Sequence, residues 1–334
     1  MTALTLTTGR NDSARPLPWR RMVLVTWLQH RGVLVGVAAL FGALAIYLSI
    51  MGLIVHHAWT VDMDCHPASS LTCQNLAGSF ATQWHSGATI AFPLQLLPAL
   101  IGAFAGAPML AREMETGTFR YAWTQDFGRT RWIIAKLTLV GGPLAVMAGA
   151  FGILTYWYFG PFVPGQLNPL DPRTFALECL ALPGWVLAAF AIGAFVGMLI
   201  RRVVPAMATA MAVAGGLGLA ADLYLRQHYL PPLVMVSANG PAQSAWTLGS
   251  WYTGRGGQVV SAETVNMACP GPGPYGSTPG APAQCMPKHG YTQLWSYQPA
   301  SRYWPFQGLE SGGLLLLAIL LVAATIWLVH RRAA

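Results

Sequence analysis

LECLALPGWVLAAFAIGAFVGMLIRRVVPAMATAMAVAGGLGLAADLYL, residues 177–225, is two apolar runs parted only by Arg201 and Arg202. Each run, Leu177 to Ile200 and Val203 to Leu225, meets the need for about 20 apolar residues to cross roughly 30 Å of hydrocarbon at about 1.5 Å per residue. Lipid offers no partner to backbone N–H and C=O groups, so both runs are read as helices. The two-residue link makes them a tight helical hairpin. Pro205 falls in the first turn of the returning helix, where a missing N–H costs little.

The same count finds four more spans: Val33 to Val55, Thr89 to Ala111, Ile133 to Phe159 and Ser311 to Val329. With 54% hydrophobic and 9% charged residues over 334, the composition excludes a water-soluble monomer. The fold class expected is an all-α membrane protein with six transmembrane helices. It divides into 1–32, a cytoplasmic N-terminus; 33–225, spans one to five with a connecting loop at 112–132; 226–310, an extracytoplasmic segment; and 311–334, the last span and the C-terminus.

Basic residues set the expected orientation, because short loops rich in Lys and Arg stay cytoplasmic. Of the 19, only Arg173, Arg226, Arg255, Lys288 and Arg302 fall on the opposite side, so both termini are expected in the cytoplasm. The formal charge of +8 therefore reflects topology and gives no reason to expect nucleic acid as a partner. No cleavable signal peptide is expected, since the first apolar run starts after some thirty residues and is long enough to span. Within PLPWRRMVLVTWLQHR, Pro16 to Arg31, Trp19, Val23 and Trp27 recur every four residues. That pattern predicts an interfacial helix with its indoles at headgroup level, though it also fits the cytoplasmic end of the first span.

Cys65 and Cys73 fall in the first outside loop, His56 to Ser86, and Cys269 and Cys285 in the long outside segment. Disulfides persist in oxidising compartments, and of the three possible pairings two local staples, Cys65 with Cys73 and Cys269 with Cys285, are the simplest. Cys179, inside the fourth span, reads as a small buried residue. PGPGPYGSTPGAP, Pro270 to Pro282, cannot form regular structure. Leu230 to Val236 is apolar but too short to span. With Trp246, Trp251, Tyr252, Trp295, Tyr297, Tyr303 and Trp304 nearby, it is read as a re-entrant or interface-lying helix.

The loop between spans two and three, AREMETGTFRYAWTQDFGRTRWIIAK, Ala111 to Lys136, is charged, aromatic and punctuated by glycine. Gly117 allows a turn after the second span, and Thr116 or Thr118 can cap a short helix beyond it. Phe119 and Trp123 would share one face of that helix, leaving Arg120 and Gln125 for another surface. Gly128 can end it, and Arg129 and Arg131 open the third span. Glu113 and Glu115 oppose the positive-inside tendency and so are expected to have partners.

GAFAGAPMLAREMETGTFRYAWTQDFGRTRWIIAKL, Gly102 to Leu137, resembles the signature of actinobacterial type-2 ABC transporter permeases. YQPASRYWPFQGLESG, Tyr297 to Gly312, and TWLQHR, Thr26 to Arg31, resemble two further segments of that family. The resemblance implies a six-span permease of the bacterial cell membrane, similar in architecture to G-subfamily ABC exporters. The surface helix at 112–132 would be its coupling helix, with Glu113, Glu115, Thr116, Gly117, Thr118, Phe119, Arg120, Trp123, Gln125, Arg129 and Arg131 meeting an ABC ATPase. Two permeases would pair with two ATPase subunits, and export of a hydrophobic or amphipathic substrate is the implied direction. The chain contains no GxxxxGK[ST], so ATP and Mg would be bound by the partner, and this chain is expected to be neither an enzyme nor a cofactor carrier.

Ionisable residues within spans cost about 2.5–3.5 kcal/mol if placed centrally, so Glu178, Asp222 and Glu310 need partners or contact substrate. A link from Asp222 to Arg226 is one such pairing. Met198 and Met211 could line an adaptable path. The glycine pairs Gly32/Gly36, Gly102/Gly106, Gly193/Gly197 and Gly215/Gly216 read as close helix packing. His56, His57, His66 and His85 gather near Asp62 and Asp64, but at no standard zinc spacing, so no metal site is assigned. A proton-coupled secondary transporter, or a membrane sensor with an outside ligand site, is the alternative; neither mid-membrane charges nor inverted repeats support the first.

Overall fold

The structure is a computed structural model that describes residues 19–117, 129–163, 167–237, 240–269 and 281–331. Among the described residues, six helical stretches are long and apolar enough to cross a membrane: Thr26–Met63, Leu71–Thr116, Thr130–Phe162, Ala181–Ile200, Val203–His228 and Ala300–Arg331. In chain order the helices are α1 (Trp19–Met63), α2 (Leu71–Leu94), α3 (Leu97–Ile101), α4 (Ala107–Thr116), α5 (Arg129–Phe159), α6 (Pro172–Phe175), α7 (Ala181–Ile200) and α8 (Val203–Ala220). α9 (Ala262–Ala268), α10 (Ala281–His289) and α11 (Tyr303–Arg331) follow. The strands are β1 (Leu233–Val236), β2 (Trp246–Thr253), β3 (Val259–Val260) and β4 (Thr292–Gln298).

The hairpin of residues 177–225 forms around Arg201, which takes a left-handed φ of 61° and closes α7, and Arg202, which is extended and opens α8. α7 is the hub of the bundle. It packs against α11, α5, α4 and α8. A helix apolar all round belongs inside, and the alanines and glycines of α7 bring its neighbours close.

The closest approach is at Gly102, Gly106, Gly193 and Gly197. A Cβ on Gly193 would lie 2.1 Å from the Gly102 carbonyl oxygen, and one on Gly106 would lie 2.5 Å from that of Phe190. The backbone at Gly102–Gly106 is a wider, π-helical turn just before Pro108, whose ring has no N–H to give the preceding turn. The two predicted glycine pairs thus meet each other across one crossing. Gly32, Gly36, Gly215 and Gly216 have nothing within 4 Å of an added Cβ and do not form such crossings.

Four expectations require correction. The connection expected to be a long loop from His56 to Ser86 is far shorter: α1 runs to Met63 and α2 starts at Leu71, where Ser70 accepts the Cys73 N–H at 3.2 Å. Polar residues interrupt the hydropathy there but do not break a helix. The stretch from Trp19 to Arg31 continues into α1 without a break, so the separate interfacial helix is absent; at 45 residues α1 is about 68 Å long. The fourth span opens at Ala181, because Cys179 takes a φ of 43° and interrupts the helix before it.

The fourth correction concerns the all-α class. The 226–310 segment holds an antiparallel sheet of order β1-β4-β2-β3. Leu233 pairs with Tyr297 and Trp246 with Gln298, with an irregularity between Thr247 and Gly249. Leu233–Val236, read as an interface helix, is an edge strand, and Trp246, Trp251, Tyr252, Trp295 and Tyr297 are strand residues. The alternation in TQLWSYQ and the β-branched, aromatic content were the signals for strands. Tyr303 and Trp304 open α11 instead.

Cys65 is joined to Cys73 and Cys269 to Cys285, and Cys179 is free. The first bond crosses the α1–α2 turn. The second ties α9 to α10 beneath the sheet.

Candidate functional site

Among the described residues two candidate sites stand out, one at the end of the bundle that carries Arg201, Arg202 and Arg331, the other where the bundle meets the sheet. At the arginine-rich end, α4 stops at Gly117, whose φ of 70° is a left-handed value that favours glycine. Immediately before it, both acidic residues are engaged. The Lys136 ammonium donates to the Glu113 carboxylate, with Lys136 almost fully buried on α5. Glu115 Oε2 accepts the backbone N–H of Val203 at 3.0 Å, capping α8 from a different helix. That placement suits the partial positive charge of a helix N-terminus. Thr130 Oγ1 lies 2.7 Å from His330 Nε2, joining the start of α5 to the end of α11.

The end of α4 is therefore tied to α5 and to the start of α8. Thr116 bonds back to the Arg112 carbonyl at 2.8 Å, and Arg131 is an exposed residue of α5. Thr118, Phe119, Arg120, Trp123 and Gln125, and the side chain of Arg129, lie outside the described residues.

At the sheet end, Arg226 is fully buried, although the sequence places it among outside-loop cations. The helix of α8 continues through it, by a π-helical turn at Ala221–Leu225, to His228. Its Nε and Nη2 donate side-on to the Glu310 carboxylate at 2.9 and 2.8 Å. Nη1 donates to Asp222 Oδ1 at 2.7 Å, one helical turn back, and the guanidinium lies over the Phe175 ring, 4.7 Å from its centroid. Trp185 Nε1 donates to Glu310 Oε1 at 2.7 Å and the Tyr229 hydroxyl to Oε2 at 3.1 Å. Four donors thus converge on one buried carboxylate, which joins α7, the end of α8 and α11. Burial, then the Glu310 carboxylate, pushes the Tyr229 phenol up, so it stays protonated and donates.

A second layer lies next to the first. The Tyr303 hydroxyl donates to Glu178 Oε2 at 2.8 Å, and Gln307 accepts the Ala181 N–H at 2.8 Å while donating to the Phe175 carbonyl. Asp171 accepts the Arg173 N–H at 2.9 Å and opens α6. Burial pushes its carboxyl up, against the pull of that N–H and of the Arg173 and Arg226 guanidiniums.

Of the sequence candidates for a substrate path, Asp222 lines a cavity. That cavity, between α2–α3, α7 and α8, measures about 240 Å³. Glu178 and Glu310 are buried in the polar layers, Met198 is buried in the core, and Met211 packs within a small-residue cluster of α7 and α8. The predicted link from Asp222 to Arg226 is present, and what sequence reading missed is that Arg226 is buried and is shared with Glu310. The signal was a cation four residues after Asp222 at the end of an apolar run.

His56 stacks on Trp157, ring centroids 4.5 Å apart, with Nε2 3.0 Å from the Trp157 carbonyl oxygen. The side chain of His85 lies outside the described residues. Cys269, Cys285 and His289 come close together, but both sulfurs are spent in a disulfide and offer no thiolate to a metal.

A family model described as ABC-2 membrane transporter related matches residues 35–226, from the first span to the buried arginine. No curated protein and no solved structure matched the chain.

Proposed function

Because the chain belongs to the ABC-2 membrane transporter related family, whose model covers more than half of it, we propose that it is the permease subunit of an ATP-driven exporter. Permeases of this family generally work with an ATPase subunit, and the six apolar helices make this a multi-pass membrane protein. In this reading the arginine-rich end faces the cytoplasm of a bacterial, actinobacterial cell, with both termini there. Two copies pair with two ATPases, which carry ATP and Mg.

The observation that carries the reading is the wiring around Gly117. A push delivered to 118–128 by nucleotide-driven closure reaches α4 through the Gly117 turn. From α4 it passes to α5 by Glu113 and Lys136, to α8 by Glu115 and the Val203 N–H, and to α7 by the glycine crossing. Rigid transmission of this kind tilts spans together and switches access of a cavity between the two faces.

The test is reconstitution with an ABC ATPase subunit that copurifies with the chain. Gly117→Pro forces a φ near −65° on a residue at +70°. Glu115→Arg removes the acceptor and places a cation at the α8 N-terminus. Each variant is expected to insert and fold but to lose at least tenfold in transport per ATP hydrolysed. Unchanged coupling in both, or transport driven by a proton gradient with no ATPase present, overturns the proposal.

A further inference from the structure

The cavity at the sheet end has an unusual polar inventory. Its walls are apolar, formed by residues such as Pro98, Ala99, Ala188, Ile192 and Leu217, and its rim carries the exposed Phe92, Leu96 and Leu219, so it opens sideways along the spans. Gln95 and Asp222 are the polar side chains in the lining apart from the Trp185 indole, and Asp222 is the one charged group.

Each of the three offers a ligand only negative potential. Both hydrogens of the Gln95 amide face protein carbonyls, donating to Pro172 O at 2.7 Å and Arg173 O at 3.1 Å, which leaves Oε1, an acceptor. The Trp185 N–H is committed to Glu310, which leaves the electron-rich ring face. Asp222 and Glu310 share the single guanidinium of Arg226, so the trio carries one formal negative charge in excess. Asp222 is its outlet: its side chain is 21% exposed against 1% for Glu310. Arg226 itself is fully buried and does not line the cavity. An anion would meet acceptors alone, and a neutral hydrocarbon would leave the excess negative charge of the trio facing an apolar cavity.

We propose that this cavity binds amphipathic organic cations, an aryl or alkyl body among the apolar walls and a quaternary or protonated nitrogen between Asp222 and the Trp185 ring. That such cations are the transported substrate rests on the exporter reading above; that they bind does not.

Binding can be read on the purified chain in nanodiscs, without any ATPase. The probe is the fluorescent cation N-methyl-4-(4-dimethylaminostyryl)pyridinium, and the comparison is its uncharged parent without the N-methyl group, at pH 8, with empty nanodiscs subtracted. The wild-type chain is expected to bind the cation at least tenfold more tightly than the parent. Asp222→Asn, which keeps an acceptor for Arg226, is expected to remove most of that preference while binding of the neutral parent stays within twofold. Gly215→Leu, whose side chain enters open space in the cavity lining, is expected to lose both probes. Equal binding of the two probes by the wild-type chain, a preference intact in Asp222→Asn, or both probes still bound by Gly215→Leu overturns the proposal. Since no ATPase enters the assay, failed coupling leaves this result standing, and failed binding leaves the coupling experiment intact.

Discussion

Gly193→Ala is expected to destabilise the protein severely, while Gly36→Ala leaves it unchanged or slightly more stable. The added atom is the same methyl group in both. At Gly193 the new Cβ would lie 2.1 Å from the Gly102 carbonyl oxygen and 2.8 Å from the Ala107 nitrogen, both backbone atoms that no rotamer change can move aside. α4 and α7 would have to separate, and with them the packing of α7 against the rest of the bundle. Forced overpacking in a core costs about 1–3 kcal/mol and occasionally more, and here the helix displaced is the hub. At Gly36 nothing lies within 4 Å, so the helix-propensity gain of about 1 kcal/mol for alanine over glycine is unopposed. The readout is the yield of monodisperse protein and its thermal midpoint in one detergent. Equal midpoints for the two variants would remove the glycine crossing as the element that fixes α4 on α7.

The existence of that crossing was legible in the sequence, and its geometry was not. Gly102/Gly106 and Gly193/Gly197 have the small-residue spacing that permits close approach, but so has Gly32/Gly36, and neither that pair nor the adjacent Gly215 and Gly216 has anything within 4 Å of an added Cβ. Spacing says which faces could meet; which faces do meet is decided by tertiary fit. The spans were legible for the same one-dimensional reason, since burial in lipid demands apolar length. Their ends were not, because helices such as α1 and α11 carry polar residues onward once those residues meet water or each other. Gln307 and Glu310, the residues that made span six appear to start at Ser311, are held by the Ala181 N–H and by Arg226 from other helices. The sheet was missed because the aromatic residues of β2 and β4 were read as membrane-interface anchors. The partners of Glu113 and Glu115 were expected as a need but not as particular atoms, since Lys136 and Val203 lie far along the chain.

Arg226→Met is the second substitution expected to be severe, and its double with Glu310→Gln should recover much of the loss. Removing the guanidinium leaves the buried Glu310 carboxylate with only the Trp185 and Tyr229 donors. Breaking a buried pair by deleting one partner costs about 3–5 kcal/mol, because the remaining charge is uncompensated, whereas replacing both partners with neutral groups is often close to neutral. The side-chain amide introduced by Glu310→Gln would keep an acceptor for the indole and turn its NH2 to the phenol oxygen, whose hydroxyl can rotate to accept, and Asp222, which is partly exposed, tolerates the loss of its partner better than Glu310 does. The unfolding can be followed with a thiol-reactive dye, since Cys179 is the free cysteine and adjoins Glu178 in the neighbouring polar layer. The outcome separates two roles that sequence alone could not. If Glu310 is a strut between α7, the end of α8 and α11, Arg226→Met lowers the midpoint sharply and the double restores it, with cation binding at Asp222 altered only as far as the local charge changes. If Arg226→Met were as stable as the parent chain, the buried trio would not be holding these helices together, and Glu310 would return to the residues available for contact with substrate.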